Sequence, residues 1–336
     1  MRIVVDAMGS DRYPGPDVAG GLLAAREYGV EVIFAGDEDA IRQAIERSGG
    51  GAAQVMHAPE VLTMEDKGLA LALKAKRKGA RNSIAVGIDL VKNGNAEAFV
   101  TAGNTGAAAA VAYFRLGTLP GVERPALAPV FPTRKGTCVI LDIGANPDCK
   151  PENLLQFAIM GSVYAERVRG VTRPRVGLLS NGEEPGKGNQ LVKEAYPLLE
   201  AAGLNFIGNV EGKEVFGGEA DVVVTDGFSG NILLKSSEAV GRLIVDVMRE
   251  KIMAGPPWVQ LGGALVKPAL NDLKKLLDPS EEGAAPLLGI NGLVFIGHGR
   301  SDAQAIKNAV RVAKQAVDSG VLGSIRDEIT RSLATA

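Results

Sequence analysis

The feature that most constrains the fold is a repeated alternation between short β-branched runs and segments long enough to form helices. The candidate strands are residues 2–6, 31–35, 54–57, 98–101, 137–143, 175–180, 205–210, 221–225 and 292–296. This alternation predicts an α/β fold with a mostly parallel sheet and helices on both faces. Ligands of such folds bind beyond the carboxyl ends of the strands, so a functional site is expected there.

Length and composition predict one large α/β unit with an excursion, or two closely packed lobes. The chain has 336 residues, of which 46% are apolar, only 4% are aromatic and 43 are glycines. A core of Ala, Val, Leu and Ile with many tight turns follows from this composition. We predict a single domain over residues 1–336 with a helical excursion at about 231–289, because Pro256-Pro257-Trp258 interrupts the strand–helix rhythm there.

Charge and targeting signals favour a cytoplasmic protein that does not bind nucleic acid. The formal net charge of −2 gives no overall attraction for nucleic acid or anionic lipid. The chain begins directly with a strand-like run, and no apolar run reaches the roughly 20 residues of a membrane-spanning helix. Cys138, inside an apolar run, and Cys149 fit a reducing compartment.

Several predicted strand exits carry glycine beside polar residues, and we expect these loops to converge on one edge of the sheet. They are residues 6–11, 101–106, 142–146, 180–189, 225–231 and 297–302. Ala102-Gly-Asn-Thr-Gly-Ala107 opens a helix-like segment, so its amides and the side chains of Asn104 and Thr105 predict a phosphate cradle. The alternative is an ordinary strand-to-helix turn capped by Asn or Thr.

Two further loops carry candidate polar groups. Residues 180–189 place Lys187 between glycines, where a cation suits a bound anion, although a solvated loop is the alternative. Asp226-Gly-Phe-Ser-Gly-Asn231 lacks the last glycine of a nucleophile elbow, which argues against a serine hydrolase. Asn231 is instead predicted to donate to an oxyanion or phosphate oxygen, with simple helix capping as the alternative.

The chain has two histidines, and their settings differ. His57 ends an apolar strand, where packing is the favoured role. His298 lies between Gly297 and Gly299 at the last strand exit, which favours a general acid or a hydrogen-bond donor.

No cofactor or metal site is predicted. The glycine motifs of dinucleotide and nucleotide triphosphate sites do not occur, and no Cys/His cluster has metal-ligand spacing. Four strand-end carboxylates could bind Mg²⁺ as scattered ligands or could serve ordinary turns: Asp6, Asp142, Asp148 and Asp226.

Two surface features are candidates for contacts with partners. A basic run at residues 74–78, with Arg81, could dock an acidic carrier protein or could be a solvated helix end. An apolar tip is expected to contact a membrane surface or substrate, or to pack against a second subunit. This tip consists of Trp258, Val259, Leu261, Leu265 and Val266.

Taken together, the ordered motifs resemble the phosphate acyltransferase family of bacterial phospholipid synthesis (PlsX type) over essentially the whole chain. The motifs are Asp6–Asp11, Ala102–Gly106, Asp142–Asn146, Asp226–Asn231 and the pair Leu288–Gly292 and His298–Asp302. The resemblance implies a Rossmann-like α/β/α sandwich similar to phosphotransacetylases and to isocitrate and isopropylmalate dehydrogenases. It also implies a homodimer that transfers a long-chain acyl group from acyl carrier protein to inorganic phosphate. One departure is Ser180-Asn181-Gly182, where the family has a more apolar residue before Gly-Glu-Glu.

For such a reaction we expect bound phosphate to attack the thioester directly, because the chain offers no convincing covalent nucleophile. Lys187 would offset the phosphate charge, while Asn231 and His298 would stabilise the oxyanion or protonate the leaving thiolate. The predicted phosphate- and substrate-binding residues are Asp6, Gly9, Gly103, Asn104, Thr105, Asn146, Glu183 and Ser229. The apolar tip fits peripheral attachment to the inner face of the cell membrane, beside a membrane glycerol-phosphate acyltransferase.

Two other classes of protein are alternatives. A metal- and NAD-dependent decarboxylating dehydrogenase of related fold would need an arginine cluster for its dicarboxylate, and the sequence shows none. A non-catalytic membrane scaffold would leave the polar, glycine-rich strand exits without a purpose.

Overall fold

The strands and helices are taken from a computed structural model, which describes residues 1–63, 65–66, 74–77, 79–276 and 278–335. The strands are β1 (Arg2–Asp6), β2 (Glu31–Gly36), β3 (Gln54–His57), β4 (Ala98–Thr101), β5 (Ala126–Leu127), β6 (Val130–Thr133), β7 (Gly136–Leu141), β8 (Val176–Leu179), β9 (Phe206–Val210), β10 (Val222–Val224), β11 (Ala285–Leu288) and β12 (Leu293–Ile296). The helices are α1 (Gly15–Tyr28), α2 (Glu38–Arg47), α3 (Ser83–Lys92), α4 (Thr105–Leu116), α5 (Pro151–Arg167), α6 (Gln190–Ala201), α7 (Gly212–Gly217), α8 (Gly227–Ala254), α9 (Pro257–Leu276), α10 (Ala303–Asp318) and α11 (Val321–Thr335), with a 3₁₀ helix at Pro279–Glu281.

The strands form two sheets. The first has the order β3-β2-β1-β4-β12-β11-β5, and the second has the order β6-β7-β10-β8-β9. The strands at the centre of each sheet pair in parallel, whereas β11 and β6 pair antiparallel with their neighbours. The α/β class with mostly parallel strands is therefore confirmed, but the strands are divided between two sheets instead of lying in one.

Each strand predicted from the sequence is present within two residues of its predicted bounds. The strands β5, β6 and β11 were not predicted, and each pairs antiparallel with a neighbour. They are only two to four residues long, and Pro132 in β6 and Pro286 in β11 weaken the strand pattern. Short antiparallel strands of this kind carry little signal in a single sequence.

The hydrophobic core lies on both faces of the central strands, because successive side chains of a strand point in opposite directions. Ile3 and Val5 of β1 pack with one set of helices, including α1 and α10. Val4 packs on the opposite side with Ile84 of α3 and Val111 of α4. The prediction of helices on both faces is thereby confirmed.

α8 and α9 lie in the range where the sequence predicts a helical excursion, and they carry many exposed apolar side chains. Trp258 is 74% exposed and Leu265 is 75% exposed. In the ranges described above, no helix combines the length and the apolar character needed to cross a membrane. The predicted domain over residues 1–336 includes residues 64, 67–73, 78, 277 and 336, which lie outside the described residues.

Candidate active site

A large cleft lies where the exits of several strands meet the first helix of the excursion. Its volume is about 1420 Å³. Thr105 at the start of α4, Asn146 after β7, Asn231 in α8 and His298 after β12 all line it. Apolar side chains line the same cleft, including Tyr113, Phe114, Val130, Phe131 and Leu234. The structure thus brings together four predicted site residues from different parts of the chain.

The start of α4 is built by Asn104. Its Oδ1 accepts the Ala107 N–H at 3.0 Å, so Asn104 is the helix cap that the sequence left as an alternative. Its Nδ2 donates to the carbonyls of Thr63 at 2.9 Å and Asp66 at 3.1 Å. Because the amide is already engaged, Thr105 and the free main-chain amides are better placed than Asn104 to meet an anion. A direct contact of Asn104 with phosphate stays a prediction.

The exits of β1 and β4 are held together beneath this helix start. Asp6 is buried, and its Oδ2 accepts the Thr101 hydroxyl at 2.7 Å. Burial raises the pKa of Asp6, while the hydrogen bond from Thr101 acts in the opposite direction. A Cβ atom on Gly9 would lie 2.9 Å from the Gly103 nitrogen, so only glycine permits this approach. Asp6, Gly9 and Gly103 therefore lie close together. None of the three is among the described residues that line the cleft.

Asn146 links two elements that border the cleft. Its main-chain N–H donates to Asp142 Oδ2 at 2.6 Å, and its side-chain amide donates to the Pro125 carbonyl at 2.6 Å. Its own carbonyl accepts the Gly227 N–H at 2.8 Å, which ties this loop to the start of α8. Because Asn146 is buried and engaged in these hydrogen bonds, its main role is to position the neighbouring groups.

α8 begins at Gly227 with Asp226 as its cap. The Asp226 carboxylate accepts both the main-chain N–H and the hydroxyl of Ser229, each at 2.8 Å. Asn231 is therefore not the cap, which removes the capping alternative for this residue. Its side chain packs near Gly144, and its amide has no hydrogen-bond partner among the described residues. Asn231 is thus free to donate to a ligand in the cleft.

His298 is held on a tight turn at the mouth of the last strand exit. Its carbonyl accepts the Ser301 N–H at 2.9 Å and the Ser301 hydroxyl at 2.6 Å. Its side chain is 40% exposed, and its Nε2 lies 3.7 Å from Oε1 of Glu238. Burial lowers the pKa of His298, and the negative charge of Glu238 acts in the opposite direction. A half-buried imidazole beside a carboxylate is a suitable group for moving a proton.

The loop that carries Lys187 is ordered by its own polar contacts. Asn181 Oδ1 accepts the Gly188 N–H at 2.9 Å, which gives a role to the residue that departs from the family pattern. Glu183 pairs with Lys213 Nζ at 2.7 Å, and this contact lowers the pKa of Glu183. Lys187 itself is exposed. Neither Glu183 nor Lys187 is among the described residues that line the cleft, so their roles stay predictions.

With this geometry established, comparisons with known proteins decide the family. A family model described as "Fatty acid synthesis protein" matches residues 1–323. The phosphate acyltransferase of Pelotomaculum thermopropionicum is 47% identical over 331 residues, covering 98% of this chain and 95% of that protein. The chain belongs to the phosphate acyltransferase family. The phosphate acyltransferase of Nostoc punctiforme is also 47% identical, over 332 residues, with 98% and 96% of the two chains covered.

Solved structures support the predicted likeness of fold. A phosphotransacetylase from Streptococcus pyogenes has a TM-score of 0.65 and 17% identity, covering 95% of this chain and 94% of that chain. A branched-chain phosphotransacylase from Enterococcus faecalis has a TM-score of 0.56 and 14% identity, covering 94% and 99%. At such identities the likeness concerns the fold alone. The family membership confirms an acyltransferase enzyme over the dehydrogenase and scaffold alternatives.

Several charged residues that line the cleft were not predicted from the sequence, and two of them lie near Asn231 on α8. Lys235 and Glu238 line the cleft together with Asn231. Lys235 lies four positions after Asn231, and Glu238 lies three positions after Lys235. This spacing places the three side chains on one face of a helix. Only a helix assignment for this segment, combined with the choice of Asn231 as a site residue, could have pointed to them.

Proposed function

We propose that this phosphate acyltransferase moves a long-chain acyl group from the thioester of acyl carrier protein to inorganic phosphate, giving acyl phosphate for phospholipid synthesis. The observation that carries the proposal is the cleft itself, which combines polar groups from several strand exits with an apolar wall. A thioester needs both: donors for its carbonyl oxygen and phosphate, and apolar surface for its chain.

In the proposed reaction, a phosphate oxygen attacks the carbonyl carbon and the carbon–sulfur bond then breaks. Thr105 and the main-chain amides at the start of α4 bind the phosphate, and Lys187 offsets its charge. The amide of Asn231 donates to the developing oxyanion. His298 moves the proton, so that the phosphate hydroxyl proton ends on the thiol and the net charge is unchanged.

Direct attack is favoured because the candidate covalent nucleophiles are poorly activated. Burial raises the pKa of the Cys138 thiol to about 12 and that of Cys149 to about 11, so both stay protonated near neutral pH. The Ser229 hydroxyl donates to the capping carboxylate of Asp226 and has no histidine partner among the described residues. None of these groups resembles an activated nucleophile.

The docking of the carrier protein is proposed beside the cleft. Lys76 Nζ lies 4.7 Å from the ring centroid of Phe114, which lines the cleft. Lys74, Arg77 and Arg81 lie in the same segment and add positive charge, although Lys74 and Arg77 also pair with nearby carboxylates. Positive charge at this position would steer an acidic carrier protein toward the cleft.

We further propose a single-domain cytoplasmic homodimer that touches the inner face of the cell membrane, next to a membrane glycerol-phosphate acyltransferase. The exposed apolar side chains of α8 and α9 support both contacts, because it would be unfavourable to leave so many apolar side chains in contact with water. A labile acyl phosphate would then be released close to the enzyme that consumes it.

One experiment tests both the reaction and the direct attack. The protein is incubated with palmitoyl-acyl carrier protein with and without radiolabelled inorganic phosphate, and acyl phosphate is extracted and separated by thin-layer chromatography while intact mass reports on the protein. We expect labelled acyl phosphate when phosphate is present and no mass increase of the protein in its absence. An acylated protein without phosphate would exclude direct attack, and no labelled acyl phosphate would exclude the proposed reaction.

A further inference from the structure

A buried carboxylate oxygen beside His298 lacks a hydrogen-bond donor. The side chain of Glu238 is only 20% exposed, and its Oε1 is buried without a partner among the described residues. Leaving such an oxygen unpaired is costly in free energy. The imidazole Nε2 of His298, at 3.7 Å, is in position to supply the missing donor.

The other carboxylate oxygen of Glu238 already faces a cation. Lys235 Nζ lies 3.5 Å from Glu238 Oε2, across one turn of α8. This contact restrains the carboxylate and leaves Oε1 directed toward the loop that carries His298. All three side chains line the cleft, so this polar group faces the place where the substrate is proposed to bind.

We propose that Glu238 is a positioning residue for His298. Its Oε1 accepts a hydrogen bond from Nε2–H, which fixes the neutral ring in the Nε2–H tautomer and leaves Nδ1 to exchange protons with the substrate. A contraction of about 0.8 Å brings the two atoms to hydrogen-bond distance, and such tightening on substrate binding is common in active sites. The assignment rests on the proposed function of the cleft.

The proton movements balance. When the carbon–sulfur bond breaks, the Nδ1 proton of the imidazolium passes to the thiolate. The ring, now neutral and still bonded to Glu238 through Nε2–H, takes up the proton of the phosphate group. The ring is thus returned to its starting state, and no external acid or base is consumed.

Several charged groups face His298, and each shifts the pKa of its imidazole in a defined direction. Burial is the largest effect and lowers its pKa, Glu238 raises it, and Lys235 and Arg300 lower it further. Asp278 and Asp302 line a small cavity together with the ring. Replacing Glu238 by glutamine removes the charge that favours the imidazolium, so the pKa of His298 should fall.

Nitrogen-15 NMR of histidine-labelled protein tests the pairing without any need for turnover. The chain has two histidines, so His57 serves as an internal reference, and a His57→Gln variant assigns the signals. In the unmodified protein we expect the neutral His298 ring to carry its proton on Nε2. Finding it on Nδ1 would overturn the proposal, whatever the variants do.

A pH titration of the two histidines then separates the effect of the Glu238 charge from a general effect on the structure. Glu238→Gln is expected to lower the pKa of His298 and leave His57 unchanged, while Glu238→Asp restores it in part. Glu250→Gln, the same change on the same helix roughly 18 Å farther along, should alter neither histidine. An unchanged His298 pKa in Glu238→Gln would overturn the proposal.

Kinetics supply the last measurement. Glu238→Gln is expected to lower kcat/KM about tenfold and to move the alkaline decline in rate to lower pH, because less imidazolium is present there. In a His298→Gln background the same change should cost nothing further, whereas independent losses would indicate a merely structural role and overturn the proposal. If the unmodified protein forms no acyl phosphate, the proposed function fails while the NMR result still decides the pairing.

Discussion

At the scale of single residues, Asp17 is a carboxyl group buried beneath the loop after β1. It has no exposed surface, and its Oδ2 accepts the Ser10 hydroxyl at 2.6 Å. Burial raises its pKa from 3.8 to about 7, and the charge of Asp6 adds to this rise. The folded protein therefore holds a proton that the unfolded chain releases at much lower pH.

This shift fixes the sign of a pH effect on stability. Between about pH 4 and pH 7 the folded state binds more protons at Asp17 than the unfolded state, so this residue's contribution to stability is lost as pH rises. Asp17→Asn is expected to show a smaller fall in the urea midpoint between pH 5 and pH 8 than the unmodified protein. Asp11→Asn, an exposed neighbour, should keep the original fall. If the Asp17→Asn variant keeps the full pH dependence, Asp17 is not its source.

At the scale of elements, the start of α8 lies unusually close to the strand exit that it crosses. A Cβ atom on Gly230 would lie only 2.0 Å from the Asp142 carbonyl oxygen. Glycine is needed here because the helix and the backbone after β7 touch directly. The close contact sets where the following turns of α8 place Asn231 and Glu238.

Gly230→Ala should therefore push α8 away from this contact. We expect a loss of about 1 to 3 kcal/mol in the free energy of unfolding, with reduced acyl transfer because the cleft residues move as well. Gly262→Ala in α9 is the matched control: nothing lies within 4 Å of its Cβ position, and the change should stabilise by up to about 1 kcal/mol. Denaturant unfolding gives the free energy of unfolding of both variants. Equal changes in the two variants would show that the close contact at Gly230 does not limit the size of its side chain.

How far the elements could be predicted depends on what their side chains do. Parallel strands such as β1 and β4 are buried on both faces and stand out as apolar runs, so their exits were predictable. The partners of polar side chains were not, because capping and ligand binding use the same residue types: Asn104 caps α4, whereas Asn231 does not cap α8. Glu238 was missed because a charged residue in a helix normally faces solvent.

For the molecule as a whole, α8 and α9 present exposed apolar side chains that the proposed dimer and membrane contacts would cover. The most exposed of these, Trp258 near the turn and Leu265 farther along α9, are about three-quarters exposed. A second subunit would cover the helices along their length, and a membrane surface would take up the turn. The two proposed contacts would use different parts of this helix pair.

The double substitution Trp258→Ser with Leu265→Ser is expected to lower binding to anionic phospholipid vesicles in a sedimentation assay, because it removes the most exposed apolar groups of the tip. Leu23→Ser, at a 41% exposed position of α1, is the control and should bind as the unmodified protein does. Sedimentation velocity of the same variants reports on the dimer. Unchanged vesicle binding by the double variant would exclude the tip as the membrane contact.

The proposed acyl transfer is tested by the rate of acyl-phosphate formation from palmitoyl-acyl carrier protein and inorganic phosphate, without added metal or nucleotide. The unmodified protein and a Lys193→Ala control, an exposed lysine on α6, should form product at similar rates. Lys187→Ala should be slower by about 100-fold or more, as expected when a group that offsets charge in the transition state is lost. Product from all three at equal rates would remove Lys187 from the site, and no product from the unmodified protein would contradict the proposed function.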